Sequence, residues 1–360
     1  MWDSIDTCYY TLVGLIDLSN EFIGFDFDDT LVGFKTGCIL PNVIDTLKEL
    51  SKMYNIVVFS NQYGITKGKQ THEQLQDKFL QFAKEANVDM TIFYSTEKDK
   101  YRKPNIGMFN LFKSLISDDI SIKYYCGDAC GRQKDFSYSD LYFANNCGIK
   151  FKTPENVFNK SLLYDIAYKK YKNLEIFEKD EWLNGSLKSN YNLFETTTAD
   201  KLSFDFDFSK KIMICLVGPP GSGKSTLSRH LSEIFNLSII NGDTIGNISK
   251  QTKYFKSLDF KKINGVIIDN TNNTNKVRNH WIDISKNFNK YIIEIDIPKR
   301  VSFYLSNYRT YMGEKYIPSV VIHTYYKRHE CIVNSSEIEY IKLDMPIVKD
   351  LINHKVRLVL

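Results

Sequence analysis

What the 360-residue chain lacks narrows its class first. Its seven cysteines, at 8, 38, 126, 130, 147, 215 and 331, form no Cys-x-x-Cys pair, and no histidine stands at metal-ligand spacing from one. That excludes a zinc ribbon and a thioredoxin-like motif, and an odd, scattered set argues for reduced thiols in an intracellular compartment, nucleus or cytoplasm. The first ten residues carry acids and no basic start, so a signal peptide is not expected. The apolar run from Ile212 to Val217 is far too short to span a bilayer, and no membrane partner is expected. There is no internal repeat. The net charge of +4 is too mild to demand a polyanionic partner, so any nucleic-acid contact would have to come from local clustering of Lys and Arg.

What is present is globular: 43% hydrophobic and 25% charged residues, in a chain long enough for two cores. Short β-type runs alternate with helical patterns, which predicts an α/β fold with parallel sheets. Strands are expected at 22–27, 55–60, 91–94 and 124–126, with helices at 41–53, 72–86 and 108–116. The pattern fails between about Asn184 and Ala199, where Asn, Gly, Ser and Thr dominate; this reads as a linker. It restarts with strands at 211–217, 237–240, 265–269 and 291–295.

Phe22-Ile-Gly-Phe-Asp26-Phe-Asp28-Asp29-Thr30 is a buried-type strand ending in carboxylates. Along a regular strand Asp26 and Asp28 would face one side. Two such carboxylates repel unless a cation neutralises them, and oxygen-rich sites of this kind select Mg²⁺. An Asp-x-Asp alone is usually a solvated strand end. Here it is followed in order by Ser60-Asn61-Gln62, whose hydroxyl and amide can bind phosphate oxygens, by the cation of Arg102-Lys103-Pro104, and by Gly127-Asp128, a second acid at a strand end. A carboxylate so placed can attack a phosphoryl group, and a second can protonate the leaving oxygen. Phe204-Asp205-Phe206-Asp207-Phe208 repeats the look without a hydrophobic strand before it or a Thr after it, and reads as structural.

In the second half, Gly218-Pro219-Pro220-Gly221-Ser222-Gly223-Lys224-Ser225-Thr226 follows a buried-type strand and opens an amphipathic helix. This matches the P-loop, whose backbone N–H groups curl round phosphates, whose lysine reaches the outer phosphates and whose Ser225 hydroxyl would take Mg²⁺. Asp243 ends the next strand, where it could accept a proton from an attacking hydroxyl. Arg309 lies among Arg300, Lys315, Lys327 and Arg328, any of which is by itself more often a solvated helix face.

The ordered set in the first half resembles the haloacid-dehalogenase phosphatases. Ser60–Ile65 with Lys67-Gly-Lys69, Tyr101–Pro104, Gly127–Arg132 and the run from Lys134 to Asp140 narrow it to polynucleotide 3′-phosphatases. Asn241–Gly246, Asp269–Asn272 and Ile317-Pro318 resemble the kinase half of the bifunctional polynucleotide phosphatase/kinases. The resemblance implies a Rossmann-like phosphatase domain at 1–183, a linker at 184–204 and a P-loop kinase domain at 205–360. It implies catalytic roles for Asp26 as nucleophile, Asp28 as acid/base, Lys103, Asp243 as base and Arg309 on a lid. Thr30, Ser60 and Asn61 would bind phosphate, residues 218–226 would bind ATP, and Asp26, Asp28 (through its carbonyl), Asp128 and Ser225 would hold Mg²⁺. Asp135 and Asp140 both fit the last acid of the phosphatase motif. Arg278 is a candidate for the phosphate beside the acceptor end. Two positions depart from the family pattern: Asp29 replaces a usual Gly and Gly242 a usual Arg. The implied partners are ATP and nucleic-acid ends, with DNA expected and RNA the alternative, and no forkhead-associated domain is expected. The rival readings are an RNA end-healing enzyme, an end-binding protein with a degenerate kinase half, and a small-metabolite kinase fused to a nucleotidase.

Overall fold

The computed structural model describes residues 1–132, 135–158, 196–332 and 337–349. The chain forms two compact units, each α/β. The linker expected at 184–204 lies outside the described residues up to 195. Its remainder holds a two-residue strand, β8 (Thr197–Thr198), and a 3₁₀ turn at Ala199–Lys201.

The first unit is built on a seven-stranded sheet. Its strands are β1 (Asp3–Ile5), β2 (Cys8–Val13), β3 (Phe22–Phe25), β4 (Asn55–Asn61), β5 (Met90–Ser95), β6 (Ile122–Cys126) and β7 (Phe151–Lys152), in the order β1-β2-β5-β4-β3-β6-β7. The strands from β3 to β7 pair in parallel as expected. The first hairpin was not expected: β1 and β2 add antiparallel strands against β5. Their residues give no clean alternation, since β1 is exposed throughout and β2 mixes buried and exposed positions. Helices α1 (Val43–Leu50), α2 (His72–Ala86), α3 (Gly107–Ile116), α4 (Ser139–Cys147) and α5 (Pro154–Phe158) cover the sheet. A capping box starts α2: the Thr71 hydroxyl accepts from the Gln74 N–H, and the Gln74 side chain accepts from the Thr71 N–H. Separate apolar clusters, one holding Ile23, Val58 and Phe79 and the other Val57, Phe59 and Phe112, fit a sheet buried on both faces. From β3 the chain runs out through β4 to β5 and returns to place β6 on β3's other side. This reversal puts a crevice at the carboxyl ends of β3, β4 and β6.

In the second unit β9 (Ile212–Val217), β10 (Leu237–Asn241), β11 (Gly265–Asp269), β12 (Asn289–Ile295) and β13 (Ile338–Leu343) form a wholly parallel sheet, ordered β10-β11-β9-β12-β13. A further strand, β14 (Ile347–Val348), pairs with β8. The helices are α6 (Lys224–Phe235), α7 (Gly242–Ile245), α8 (Ile248–Ser257), α9 (Asn275–Ile284), α10 (Lys299–Tyr311) and α11 (Ser319–Arg328). Strand β9 is buried at every residue because it lies at the sheet's centre. Phe206 of the second Asp-x-Asp run is buried against Phe235 and Tyr291, while Asp205 and Asp207 point to solvent. That segment is structural, as read. Among the described residues no helix is long and apolar enough to cross a membrane.

Candidate active sites

The first crevice is organised around one lysine. Lys103 lies in the loop between β5 and α3, and its ammonium is buried. It donates to Asp26 Oδ1 (2.6 Å), Asp140 Oδ1 (2.7 Å) and the Tyr125 hydroxyl (2.7 Å), which uses all three of its protons. Asp26 follows β3 directly, and its N–H donates to the Cys126 carbonyl of β6 (2.8 Å). Oxygens of Asp26, Asp128 and Asp140 all lie within 4.8 Å of one another.

Three buried carboxylates lie together beside a single ammonium that pairs with only two of them, so negative charge is in excess. Burial pushes the Asp26 carboxyl up to about 7; Lys103 opposes this, and the charges of Asp140 and Asp28 add to it. Asp128 is pushed well above the usual carboxylate range, first by burial and then by Asp140 and Asp26. Asp128 also has no hydrogen-bond donor or cation on its side chain among the described residues. An all-oxygen donor set with surplus negative charge fits a hard divalent cation.

Asp28 is elsewhere. β3 ends at Phe25, two residues before the expected end, and the Phe27 carbonyl accepts from the N–H groups of Leu31 and Val32 in a tight turn. Asp26 and Asp28 therefore diverge rather than share a strand face. Asp28 Oδ2 accepts from Gln62 Nε2 (2.6 Å) and Oδ1 from Lys78 Nζ (3.0 Å), and its carboxylate is not in the acidic cluster. Asp29, where the family resemblance implies a glycine, has φ of 55° in the left-handed region that Asp tolerates better than most residues. Its carboxylate accepts from the Phe34 N–H (2.9 Å) and so stabilises the turn it departs from.

The three expected phosphate ligands fare differently. Thr30 is wholly buried and its hydroxyl has no hydrogen-bond partner among the described residues. Asn61 supports Lys103: its amide donates to the Lys103 carbonyl (3.0 Å) and accepts from the Lys103 N–H (2.9 Å). The Ser60 hydroxyl, at the end of β4, accepts from Gln62 Nε2 (2.8 Å) and is almost fully buried.

The choice between Asp135 and Asp140 is resolved by contact. Asp140 is in the carboxylate cluster. Asp135 caps the Cys130 and Arg132 N–H groups and pairs with the Arg132 guanidinium. Arg132 also binds Glu155 (2.9 Å) and the Asp128 carbonyl (2.9 Å), which ties down the loop that carries Asp128.

In the second unit the P-loop follows β9 as expected. Lys224 is buried and turned back into its own loop, donating to the carbonyls of Gly218 (2.8 Å) and Pro219 (2.7 Å). Its pKa is lowered to about 8: burial is the main cause, Asp269 and Asp243 oppose it, and Arg309 adds to it. Among the described residues no carboxylate pairs with Lys224, and reaching an outer phosphate requires the side chain to leave these carbonyls. Ser225 is exposed on the first turn of α6, with Thr226 beside it. Asp243 is exposed at the start of α7, held by the Asn241 side chain, which accepts from its N–H (2.7 Å). Gly242 donates its N–H to Asn270 Oδ1 (2.8 Å), and a Cβ there would meet that same oxygen at 2.8 Å, so this chain has packed Asn270 into the space of a side chain.

Asp269, given no role from the sequence, is buried at the end of β11 and accepts from Ser228 (3.1 Å) and Asn241 (3.0 Å). Its position, an acid closing the strand beside the P-loop strand, was a signal for it. Arg278 is a correction. It is buried, with its guanidinium donating to the carbonyls of Asn272, Glu330 and Cys331 and to Asn275 Oδ1, so it braces the β11–α9 loop and cannot contact an acceptor phosphate.

Comparisons with known proteins bear on both units. Residues 21–158 match the family described as polynucleotide kinase 3 phosphatase. The bifunctional polynucleotide phosphatase/kinase of Schizosaccharomyces pombe is 32% identical over 301 residues, which cover 80% of this chain and 69% of that protein. The chain belongs to the bifunctional polynucleotide phosphatase/kinase family. Two shorter matches fall on polynucleotide 3′-phosphatases. The polynucleotide 3′-phosphatase of Saccharomyces cerevisiae is 44% identical over 92 residues, 22% of this chain and 37% of that protein. That of Arabidopsis thaliana is 31% identical over 172 residues, 40% of this chain and 25% of that protein. The Lys103 crevice falls within the segment that matches the phosphatase family. The P-loop lies outside that segment, so its assignment to the kinase half rests on the full-length bifunctional relative and on its own geometry.

Proposed function

We propose that the chain processes polynucleotide ends, removing a 3′-phosphate in the first unit and phosphorylating a 5′-hydroxyl from ATP in the second. The observation that carries the first activity is the junction of Asp26, Lys103, Asp128 and Asp140 in one buried crevice. Asp26, Asp128 and Asp140 would hold Mg²⁺, which would supply charge neutralisation for the transferring phosphoryl group. Asp26 attacks phosphorus, and the bond from phosphorus to the 3′-oxygen breaks as Asp28 delivers a proton to that oxygen. An aspartyl-phosphate results. Asp28 then takes a proton from water, whose oxygen attacks phosphorus and releases inorganic phosphate with Asp26 restored. Lys103 favours the ionised form of Asp26 and offsets charge on the phosphoryl oxygens.

In the second unit Asp243 accepts the 5′-hydroxyl proton as the 5′-oxygen attacks the γ-phosphorus and the bond to ADP breaks. The N–H groups of residues 218–226 cradle the phosphates, Lys224 and Arg309 offset the charge, and the Ser225 hydroxyl serves the nucleotide's Mg²⁺. Both products are the ends that a ligase joins, which supports a role in strand-break repair with DNA as the polymer. The test is end-labelling of matched DNA and RNA oligonucleotides carrying 3′-phosphate or 5′-hydroxyl ends. Preference for DNA supports this role. Preference for RNA replaces it with end healing, and turnover of free nucleosides alone ends the polynucleotide reading.

A further inference from the structure

We infer that Ser302 is a positioning residue of the phosphoryl-transfer site: its hydroxyl orients the Pro220–Gly221 peptide of the P-loop and ties to that loop the helix carrying Arg309. The inference rests on the reading of this unit as an ATP-dependent kinase.

A P-loop binds phosphate through N–H groups that point inward, so its carbonyls must point outward. In a trans peptide the C=O and the following N–H point in opposite directions. Ser302 Oγ donates to the Pro220 carbonyl at 2.6 Å, from outside the loop. The hydroxyl thereby holds that carbonyl away from the phosphate cavity and turns the Gly221 N–H to the opposite face.

The same bond fixes α10 to the loop. Gly221 has φ of +77°, and a Cβ there would lie 2.9 Å from Ser306 Oγ and 3.1 Å from the Ser306 nitrogen. Loop and helix backbones approach this closely because serines face the contact. Ser302, Ser306 and Arg309 are spaced i, i+4 and i+7, which puts them on one face of α10. Arg309 is near enough to Lys224 for its charge to be felt there. Ser302 is fully buried, where alanine would suit both the helix and an apolar contact better. Its hydroxyl meets the Pro220 carbonyl at 2.6 Å and also the Tyr326 hydroxyl, so both are polar partners that alanine would lose.

The test uses the full chain with Ser302→Ala, Arg309→Ala and the double variant. Binding of ATP with Mg²⁺ is measured by displacement of a fluorescent ATP analogue, and kcat is measured for 5′-phosphorylation. The 3′-phosphatase activity of the same samples reports folding. Losing one buried hydrogen bond should weaken ATP binding about 3- to 10-fold and lower kcat by a similar factor, with phosphatase unchanged. In the Arg309→Ala background the kcat effect of Ser302→Ala should shrink below about 2-fold, while the loss of ATP affinity persists. Ser302→Ala with a lowered Tm but wild-type ATP affinity and kcat would make the serine structural only and overturn the inference. So would kcat losses that multiply in the double variant. A wild-type chain that binds ATP but leaves 5′-hydroxyl ends untouched defeats the kinase reading instead, and the ATP-affinity arm still decides on Ser302.

Discussion

The two crevices solve opposite electrostatic problems. The first gathers three carboxylates beside one saturated lysine that pairs with two of them, and holds a surplus of negative charge. The second holds a buried lysine that no carboxylate among the described residues pairs with, tied to carbonyls and the Ser222 hydroxyl of its own loop. The first is built to be completed by a cation, the second by a polyanion. Both carry strained protonation in the direction this predicts: burial raises Asp26 and Asp128 and lowers Lys224. Parallel sheets deliver both to the carboxyl ends of central strands, so the difference lies in side chains and not in architecture.

The sharpest break between the two comes from removing each anchor. Asp26→Ala should lower 3′-phosphatase activity by at least about 10⁴-fold and leave 5′-kinase activity intact, and Lys224→Ala should do the reverse. Parallel assays of both ends check this, and loss of both activities from either change would mean a single shared site.

Next in size is stability. Lys103→Met strands Asp26 and Asp140 as buried unpaired charges, at a cost of about 3–5 kcal/mol. Lys224→Met removes a desolvated cation whose partners are carbonyls, and should cost much less. Denaturant unfolding of the two variants tests the contrast, and equal losses would contradict it.

The third concerns pH. With Lys224 titrating near 8 before nucleotide arrives, the charged lysine that ATP prefers is already present below that pH and must be made by proton uptake above it. The KM for ATP should be flat below about pH 8 and rise above it, by up to about tenfold per pH unit, with no such rise in Lys224→Met. Stability carries the matching sign. An unfolded lysine holds its proton to a pH near 10.4, so between about 8 and 10.4 the unfolded state binds more protons, and this group's contribution to stability grows with pH.

The smallest effect tests the acidic side. Asp128→Asn removes one of three repelling carboxylates, so the metal-free protein should melt a few degrees higher, by about 1 kcal/mol. Mg²⁺ should raise the Tm of the wild type and do so far less for the variant. A wild type indifferent to Mg²⁺ would mean that the carboxylate cluster binds no cation.

Much of this was legible from the chain. Buried parallel strands read as short apolar runs, so 265–269 and the helix at 72–86 fall at their expected bounds. The P-loop is legible because its chemistry is local: glycines, lysine and hydroxyl lie within nine residues. Asp26, Lys103 and Asp128 were legible as an ordered set of strand ends. The hairpin at 3–13 was not, because an edge pair lacks the buried alternation that marks a strand. Tyr125 was read only as strand, since nothing local indicates that its hydroxyl meets a lysine 22 positions away. Thr30, Asn61 and Arg278 were assigned by their chemistry; the structure buries Thr30 and Arg278 and places the Asn61 amide on the Lys103 backbone.

By itself the sequence determined the α/β alternation, the two phosphate-handling loops and the residue types each carries, because these depend on local pattern and spacing. Only the tertiary structure decided that Asp140 and not Asp135 joins the cluster, that Asp26 and Asp28 part company, and that Arg278 braces a loop. Those outcomes depend on which charges are buried beside one another, and the energy of a buried charge is set by neighbours that are distant along the chain.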